Sequence, residues 1–172
     1  MKIFKCQLKM IYKKSWKYIL IKSYQKNFYR LKALKDFPNV TKGDIGGYLE
    51  GYYNLSQKGD CWVYNDAVVK GKAKVLDNAR VYESAEVYGS AKIFGYARVY
   101  GFARVYGNAV VTDNAKIYEE AVVSGNAVIA GNAEAKRVAW ISNDILVCDN
   151  AKVYGCAVTS GKSKIFGDMV IY

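Results

Sequence analysis

A six-residue alternation of apolar and polar positions runs from Cys61 to the end of the chain without an insertion. Its first position is Ala in 15 of 19 units, and its third position is Val or Ile in 17 of 19. Residues two apart in a strand point to the same side, so these two positions predict the interior of a β-structure. The fifth position is Gly, Asn or Asp in 15 of 18 units. These residues tolerate left-handed backbone angles, which predicts a turn after each short strand.

An internal repeat of this kind is typical of a solenoid. Three six-residue units per turn make an 18-residue triangular coil, and stacked coils pair as parallel strands. Residues 61–172 then form about six coils, a prism roughly 29 Å long at a coil spacing of about 4.8 Å. We therefore predict an all-β fold, a parallel β-helix with three flat outer faces.

The units AKVLDN, ARVYES and AEVYGS, with those that follow, resemble the hexapeptide repeat of left-handed parallel β-helix proteins over residues 61–172. The preceding stretch YRLKALKDFPNVTKGDIGGYLEGYYNLSQKGDCWVYNDAVV is similar to the lead-in of a narrower bacterial and phage group, often labelled transferases. This resemblance implies a left-handed coil with three strands per turn, a small capping segment before it and a homo-oligomer, commonly a trimer; a dimer is the alternative that we keep. The expected organisation is a basic aromatic N-terminal arm at 1–28, a capping segment at 29–60 and the β-helix at 61–172.

Charge is distributed unevenly along the chain, whose 26 Lys and Arg and 15 Asp and Glu give a formal net charge of +11. Residues 1–35 contain 11 basic side chains and no acidic one, so residues 36–172 sum to zero. A basic segment interleaved with aromatic residues can bind phosphates and stack on bases, or lie on an anionic membrane surface. Alternatively, its apolar residues dock on the neighbouring domain while the lysines stay solvated. The candidate anion-binding residues in the arm are Lys13, Lys14, Trp16 and Lys17.

Outward-pointing residues fall on three faces when the register is assigned modulo 18. Face 1 carries a tyrosine column at the fourth position of the repeat and a largely basic column at the second. The two columns predict a platform for an extended anionic ligand such as single-stranded nucleic acid. Alternatively, the tyrosine ladder only stabilises parallel strands and the cations only keep the face soluble. The candidate binding residues of face 1 are Arg80, Tyr82, Arg98, Tyr100, Lys116 and Tyr118.

Faces 2 and 3 become apolar in the later coils. A monomer rarely leaves contiguous apolar strips exposed to water, so either the arm covers one of them or they join subunits. We favour an oligomer. The predicted interface residues are Val110, Val122, Val128, Trp140, Leu146 and Val158.

Several chemistries are excluded by the absence of histidine. There is no Ser-His-Asp or Cys-His pair, no imidazole base and no histidine ligand for a metal. The histidine base of hexapeptide acyltransferases therefore cannot be carried over, and the uninterrupted repeat has no insertion loops. We expect no catalytic residue, no metal and no cofactor. No apolar run reaches the roughly 20 residues of a membrane helix, and four cysteines without a CxxC pair suit a reducing cytoplasm.

Three functional hypotheses remain. The preferred one is a non-catalytic, oligomeric β-helix that binds an anionic partner: a nucleic acid, a nucleotide or a nucleic-acid-handling protein, the last as a phage-type inhibitor. The second is a structural or assembly module. The third is an acyltransferase-like protein, which would have to bind acyl-coenzyme A.

Overall fold

A computed structural model describes residues 16–172 of the chain. These residues form a parallel β-solenoid with about 18 residues per turn and about seven turns. From residue 62 onward, successive strands along the chain belong to different sheets, and each strand pairs with those one coil earlier and one coil later, where such a coil exists. The predicted β-helical architecture is therefore confirmed. Lys13 and Lys14 lie outside the described residues.

The 22 strands of residues 16–172 form three sheets, one for each face of the solenoid. Face 1 consists of β4 (Trp62–Val63), β7 (Arg80–Val81), β10 (Arg98–Val99), β13 (Lys116–Ile117), β16 (Glu134–Ala135), β19 (Lys152–Val153) and β22 (Val170–Ile171). Face 2 consists of β1 (Tyr18–Lys22), β2 (Tyr29–Ala33), β3 (Ile45–Leu49), β5 (Val68–Val69), β8 (Glu86–Val87), β11 (Arg104–Val105), β14 (Val122–Val123), β17 (Trp140–Ile141) and β20 (Val158–Thr159). Face 3 consists of β6 (Lys74–Val75), β9 (Lys92–Ile93), β12 (Val110–Val111), β15 (Val128–Ile129), β18 (Leu146–Val147) and β21 (Lys164–Ile165).

The turns between strands lie at the fifth position of the repeat. Every fifth-position residue from Asn65 to Gly167 has a positive φ, including the non-glycine residues Glu83, Glu119 and Arg137. Gly107 illustrates why small residues prevail, because a Cβ there would lie only 2.9 Å from the backbone nitrogen of Gly125 in the next coil. The corners of adjacent coils thus stack backbone on backbone.

The interior of the solenoid is a column of small and branched side chains. Alanines at the first position and valines or isoleucines at the third position are almost all fully buried. Burial weakens only in the last coil, where Ile165 retains slight exposure and Thr159 and Ile171 are partly exposed. Burial of apolar surface therefore runs continuously along the axis and stabilises the stack of coils.

The segment before the first hexapeptide adds a coil of its own. Strand β3 pairs in parallel with β5, and Leu55 forms a parallel bridge with Val75, so residues 45–60 make one further turn. Strand β2 is antiparallel to both β1 and β3, and β1 and β2 extend face 2 beyond this turn. A 3₁₀ turn at Tyr52–Asn54 holds Asn54, whose buried amide donates to the carbonyls of Gly71 and Ala73.

The described end of the predicted arm, from Trp16 onward, is folded against the capping segment. Residues 18–22 form β1, and the Tyr18 ring is fully buried with its hydroxyl donating to the carbonyl of Leu55 at 2.6 Å. The end of the arm thus docks on the first coil, as in the alternative in which its apolar residues pack on the neighbouring domain. Within residues 16–172, no helix is long and apolar enough to cross a membrane.

Candidate anion-binding face

The basic column of face 1 is aligned rung by rung along the solenoid. Arg98 is the register partner of Arg80 on one side and of Lys116 on the other. Glu134 follows Lys116 and is itself followed by Lys152. Parallel pairing places these side chains about 4.8 Å apart, so four cations and one carboxylate share a single row.

The carboxylate of Glu134 is already occupied by its neighbours. It accepts hydrogen bonds from Nζ of Lys116 at 3.0 Å and from the hydroxyl of Tyr118 at 3.1 Å. Burial alone would raise the pKa of Glu134, but these two donors outweigh it and lower the pKa below its ordinary value. Among residues 16–172, no carboxylate oxygen lies within 4.0 Å of the charged nitrogens of Arg80, Arg98 or Lys152.

A groove of about 710 Å³ runs beside this row, and we call it the face 1 groove. One wall is formed by Arg98, Lys116, Glu134 and Lys152, and the other by Tyr96, Asn114, Asn132 and Asn150. The asparagine amides donate to one another from coil to coil, at 3.2 Å from Asn114 to Asn132 and 3.1 Å from Asn132 to Asn150. The groove is therefore polar and cationic, with a regular hydrogen-bonded wall.

The tyrosine ladder of face 1 differs from an open stacking platform. The rings of Tyr82 and Tyr100 stack with centroids 4.7 Å apart and planes 4° from parallel, and Tyr100 and Tyr118 stack in the same way at 4.9 Å. Because both faces of the Tyr100 ring are covered by its neighbours, a base cannot stack on it. The ladder presents ring edges and hydroxyls, and burial raises the pKa of Tyr100 to about 12, so its hydroxyl stays protonated.

A cation replaces the ring at one rung of the ladder. Lys136 occupies the fourth position, where the other coils of face 1 have tyrosine, and its Nζ lies 4.1 Å from the ring centroid of Tyr154. The same ammonium is 5.7 Å from the ring centroid of Tyr118. Lys136 therefore links two aromatic side chains by cation–π contacts and keeps the column continuous.

A smaller pocket of about 240 Å³ lies where face 1 meets the capping segment, and we call it the cap pocket. Arg80, Arg98 and Tyr82 line it together with three residues that the sequence analysis did not select, Asn39, Tyr64 and Asn65. Tyr64 belongs to the tyrosine column and could have been selected from the register. Asn39 could not, because it reaches the pocket only through the fold of the capping segment.

The two described arm candidates face inward rather than toward a ligand. Trp16 is partly buried and packs edge-on against the ring of Tyr52, with centroids 5.2 Å apart. Lys17 is 1 % exposed, and its ammonium donates to protein acceptors inside the first coil. Lys17 is therefore not accessible to an external anion, and we leave it out of the proposed binding surface.

The predicted interface residues lie on two adjacent strips. On face 2, strands β14, β17 and β20 place Val122, Trp140 and Val158 side by side, with Trp140 47 % exposed and Val158 72 % exposed. On face 3, Val110, Val128 and Leu146 form a row and are each partly exposed. Whether these strips meet another chain stays a prediction.

Comparison with models of known protein families gives no match for this chain, and comparison with curated proteins finds none that is significantly similar. In the part of the chain that the structure describes, no group of three or more Cys, Asp or Glu side chains could hold a metal ion. The geometry of face 1 is therefore the basis on which a function is inferred below.

Proposed function

We propose that this protein is a non-catalytic β-helix that binds an anionic, phosphate-bearing partner along face 1. The observation that carries the proposal is the alignment of Arg80, Arg98 and Lys152 in one row, none of them neutralised by a described carboxylate. Cations gathered on one side of an elongated groove favour an extended polyanion, because each phosphate neutralised releases counterions. Single-stranded nucleic acid is the partner that fits this groove best.

The mode of binding follows from the geometry of the two columns. Guanidinium and ammonium groups would hold the phosphates, while the tyrosine hydroxyls and the asparagine wall offer hydrogen bonds at the edges. The mutual stacking of the tyrosines leaves base stacking a minor contribution. Binding is therefore expected to depend strongly on salt and weakly on base sequence.

Three finer expectations from the sequence form part of this proposal. They are a left-handed coil of hexapeptide repeats and a homo-oligomeric assembly, as the family resemblance implies, and a cytoplasmic location, which the cysteine pattern suits. A phage-type inhibitor that occupies a host nucleic-acid-binding protein would use the same cationic groove, with acidic side chains of that protein in place of phosphates.

The test compares two triple variants of equal charge. The first replaces Arg80, Arg98 and Lys152 by Gln on face 1, and the control replaces the exposed Lys74, Lys92 and Lys164 by Gln on face 3. Each variant removes three positive charges, so a general effect of net charge acts on both alike. Binding of a fluorescent single-stranded oligonucleotide is measured across a salt series for both variants and the native protein.

The face 1 variant is expected to bind at least tenfold more weakly and to reduce the slope of log K against log salt by about 2, since each lost phosphate contact contributes about 0.7. The face 3 control is expected to keep the native slope. Equal losses in the two variants, or no binding by the native protein, would contradict the proposal.

A second candidate is an assembly module, favoured by the exposure of Trp140 and Val158 on neighbouring rungs of face 2. Large exposed apolar side chains in contact with one another are typical of protein interfaces. Sedimentation analysis of the native protein and of a Trp140→Ser, Val158→Ser double variant tests this function. A concentration-dependent oligomer that the double variant abolishes would favour it, and identical monomers would contradict it.

A further inference from the structure

The cationic row ends at the cap pocket, beside the capping segment. In the coil before Arg80, the second position is Trp62, which is fully buried and packs edge-on against Phe37 of the capping segment at 5.4 Å. A strand lying along face 1 therefore cannot continue past Arg80 in that direction. The end of a chain, or a small ligand, can occupy the pocket between Arg80, Arg98 and Asn39 of the capping segment.

One residue that lines the pocket has an unused hydrogen-bond donor. The hydroxyl of Tyr64 is buried and has no hydrogen-bond partner in the described structure. Burial raises the pKa of Tyr64, so this hydroxyl stays protonated and is able to donate. Buried polar atoms in folded proteins are nearly always hydrogen-bonded, and an orphan at the wall of a cationic pocket points to a missing acceptor.

The walls of the pocket are held in place by the capping segment. Arg30 donates from Nε to the carbonyl of Gly46 at 2.7 Å and from Nη2 to the carbonyl of Asn65 at 3.2 Å. This fixes the turn at Asn65, whose side-chain oxygen accepts the backbone N–H of Glu83. A receptor whose donors are fixed before binding loses little entropy when the ligand arrives.

The carboxylates close to the pocket tyrosines are engaged elsewhere. Asp44, near Tyr64, accepts the backbone N–H of Thr41 at 2.8 Å, and Glu83, near Tyr82, accepts the backbone N–H of Gly101 at 2.8 Å. Neither one forms an ion pair with Arg80 or Arg98. The two guanidinium groups and the Tyr64 hydroxyl are thus left for an incoming anion.

We propose that the cap pocket binds a terminal phosphate monoester, held by Arg80, Arg98 and the Tyr64 hydroxyl. This inference rests on the proposed function and adds that the nucleic acid is held by its phosphorylated end. A terminal phosphate carries a charge of about −1.5 to −2 near neutral pH, whereas a bridging phosphodiester carries one charge. Two adjacent guanidinium groups suit the more highly charged group. A free mononucleotide offers the same chemistry.

The experiment compares one single-stranded oligonucleotide with a 5′-phosphate, the same strand with a 5′-hydroxyl, and a nucleoside 5′-monophosphate. Affinities are measured for the native protein, Arg80→Gln, Tyr64→Phe and, as a matched control at the far end of the row, Lys152→Gln. The native protein is expected to bind the phosphorylated strand about tenfold more tightly than the hydroxyl strand. Arg80→Gln and Tyr64→Phe are expected to reduce this ratio toward one, and Lys152→Gln to weaken both strands while preserving the ratio.

The outcomes separate this inference from the proposed function. Equal binding of the two strands by the native protein would overturn the terminal-phosphate site and leave the proposed function standing. Failure of both strands to bind would overturn both proposals. A nucleoside monophosphate that binds as tightly as the phosphorylated strand, and loses affinity in Arg80→Gln, would support the pocket and identify the free nucleotide as its ligand. Tyr64→Phe removes only the unpaired hydroxyl, so its unfolding temperature should equal or exceed the native value and confirm that it is folded.

Discussion

The ammonium nitrogen of Lys17 lies 2.8 Å from the carbonyl oxygen of Cys61 and 3.3 Å from the sulfur of the same residue. A third acceptor, the carbonyl of Gly59, is 3.1 Å away. Burial lowers the pKa of Lys17 and raises the pKa of the Cys61 thiol, although each group partly offsets the shift of the other. Lys17 therefore joins the end of the arm to the first turns of the solenoid from inside.

Replacement of Lys17 by Met is expected to destabilise the protein by about 1–3 kcal/mol, because it removes the ammonium donor from the buried carbonyl group of Cys61. The exposed Lys22, at the end of β1, is the matched control, and its replacement by Met should change the free energy of unfolding by less than about 0.5 kcal/mol. Chemical denaturation measures both. Equal effects of the two replacements would show that the buried contacts of Lys17 are not stabilising.

Replacement of Gly46 by Ala is expected to cost about 1–3 kcal/mol through overpacking. A Cβ at this position would lie 2.5 Å from the carbonyl oxygen of Val63 and 2.9 Å from Cβ of Leu31. Relief of the first contact would require a shift of the backbone. At Gly51 an added Cβ would meet only the exposed side chain of Tyr53, which can move aside. Thermal unfolding of Gly46→Ala and Gly51→Ala compares the two, and a larger loss at Gly51 would contradict this account.

Replacement of Glu134 by Gln is expected to strengthen the binding of single-stranded nucleic acid, because it removes the one carboxylate in the basic row and releases Lys116. The slope of log K against log salt should steepen by about 0.7, the contribution of one additional phosphate contact. Glu86 pairs with Lys70 at 2.9 Å on face 2, so Glu86→Gln removes the same charge away from the groove. A steepening in Glu86→Gln equal to that in Glu134→Gln would assign the effect to net charge instead.

Stability is expected to fall as the pH rises from about 10 toward 12. Burial raises the pKa of Tyr100 to about 12, whereas tyrosines of the unfolded chain titrate near 10. A raised folded-state pKa gives stability that is fully present below the unfolded pKa and is lost as the pH rises through the folded one. Tyr100→Phe should flatten this fall, and the exposed Tyr24→Phe should not. Urea denaturation at a series of alkaline pH values measures the difference.

Much of the solenoid could be predicted from the sequence, because its interior, turns and outer columns depend on local backbone geometry. The apolar first and third positions predict the interior because strand geometry sends them to the same side, and the structure buries them accordingly. The fifth-position turns follow for the same local reason, and even Arg137 adopts the positive φ of that corner. The columns of face 1 also follow from the register, since residues 18 apart pair directly, as Arg80 and Arg98 do.

Contacts between residues that are far apart in the sequence could be identified only from the folded structure. The charge pattern places Lys17 in a solvated arm, yet its partner Cys61 is 44 residues away and the pair is buried. Asn39 reaches the cap pocket only because the antiparallel strands of the capping segment bring it there. Side-chain orientation was likewise undetermined: the repeat predicts a tyrosine column, but only packing decides that Tyr100 is covered on both faces.

The repeat thus determined the coil, its interior and the composition of its faces, because each of these depends on a residue's position within the six-residue unit. The tertiary structure decided which cations remain exposed, which carboxylates are already bonded and where the groove ends. Those properties depend on which side chains are neighbours in space. The repeat does not specify these neighbours, least of all where the non-repeating capping segment begins.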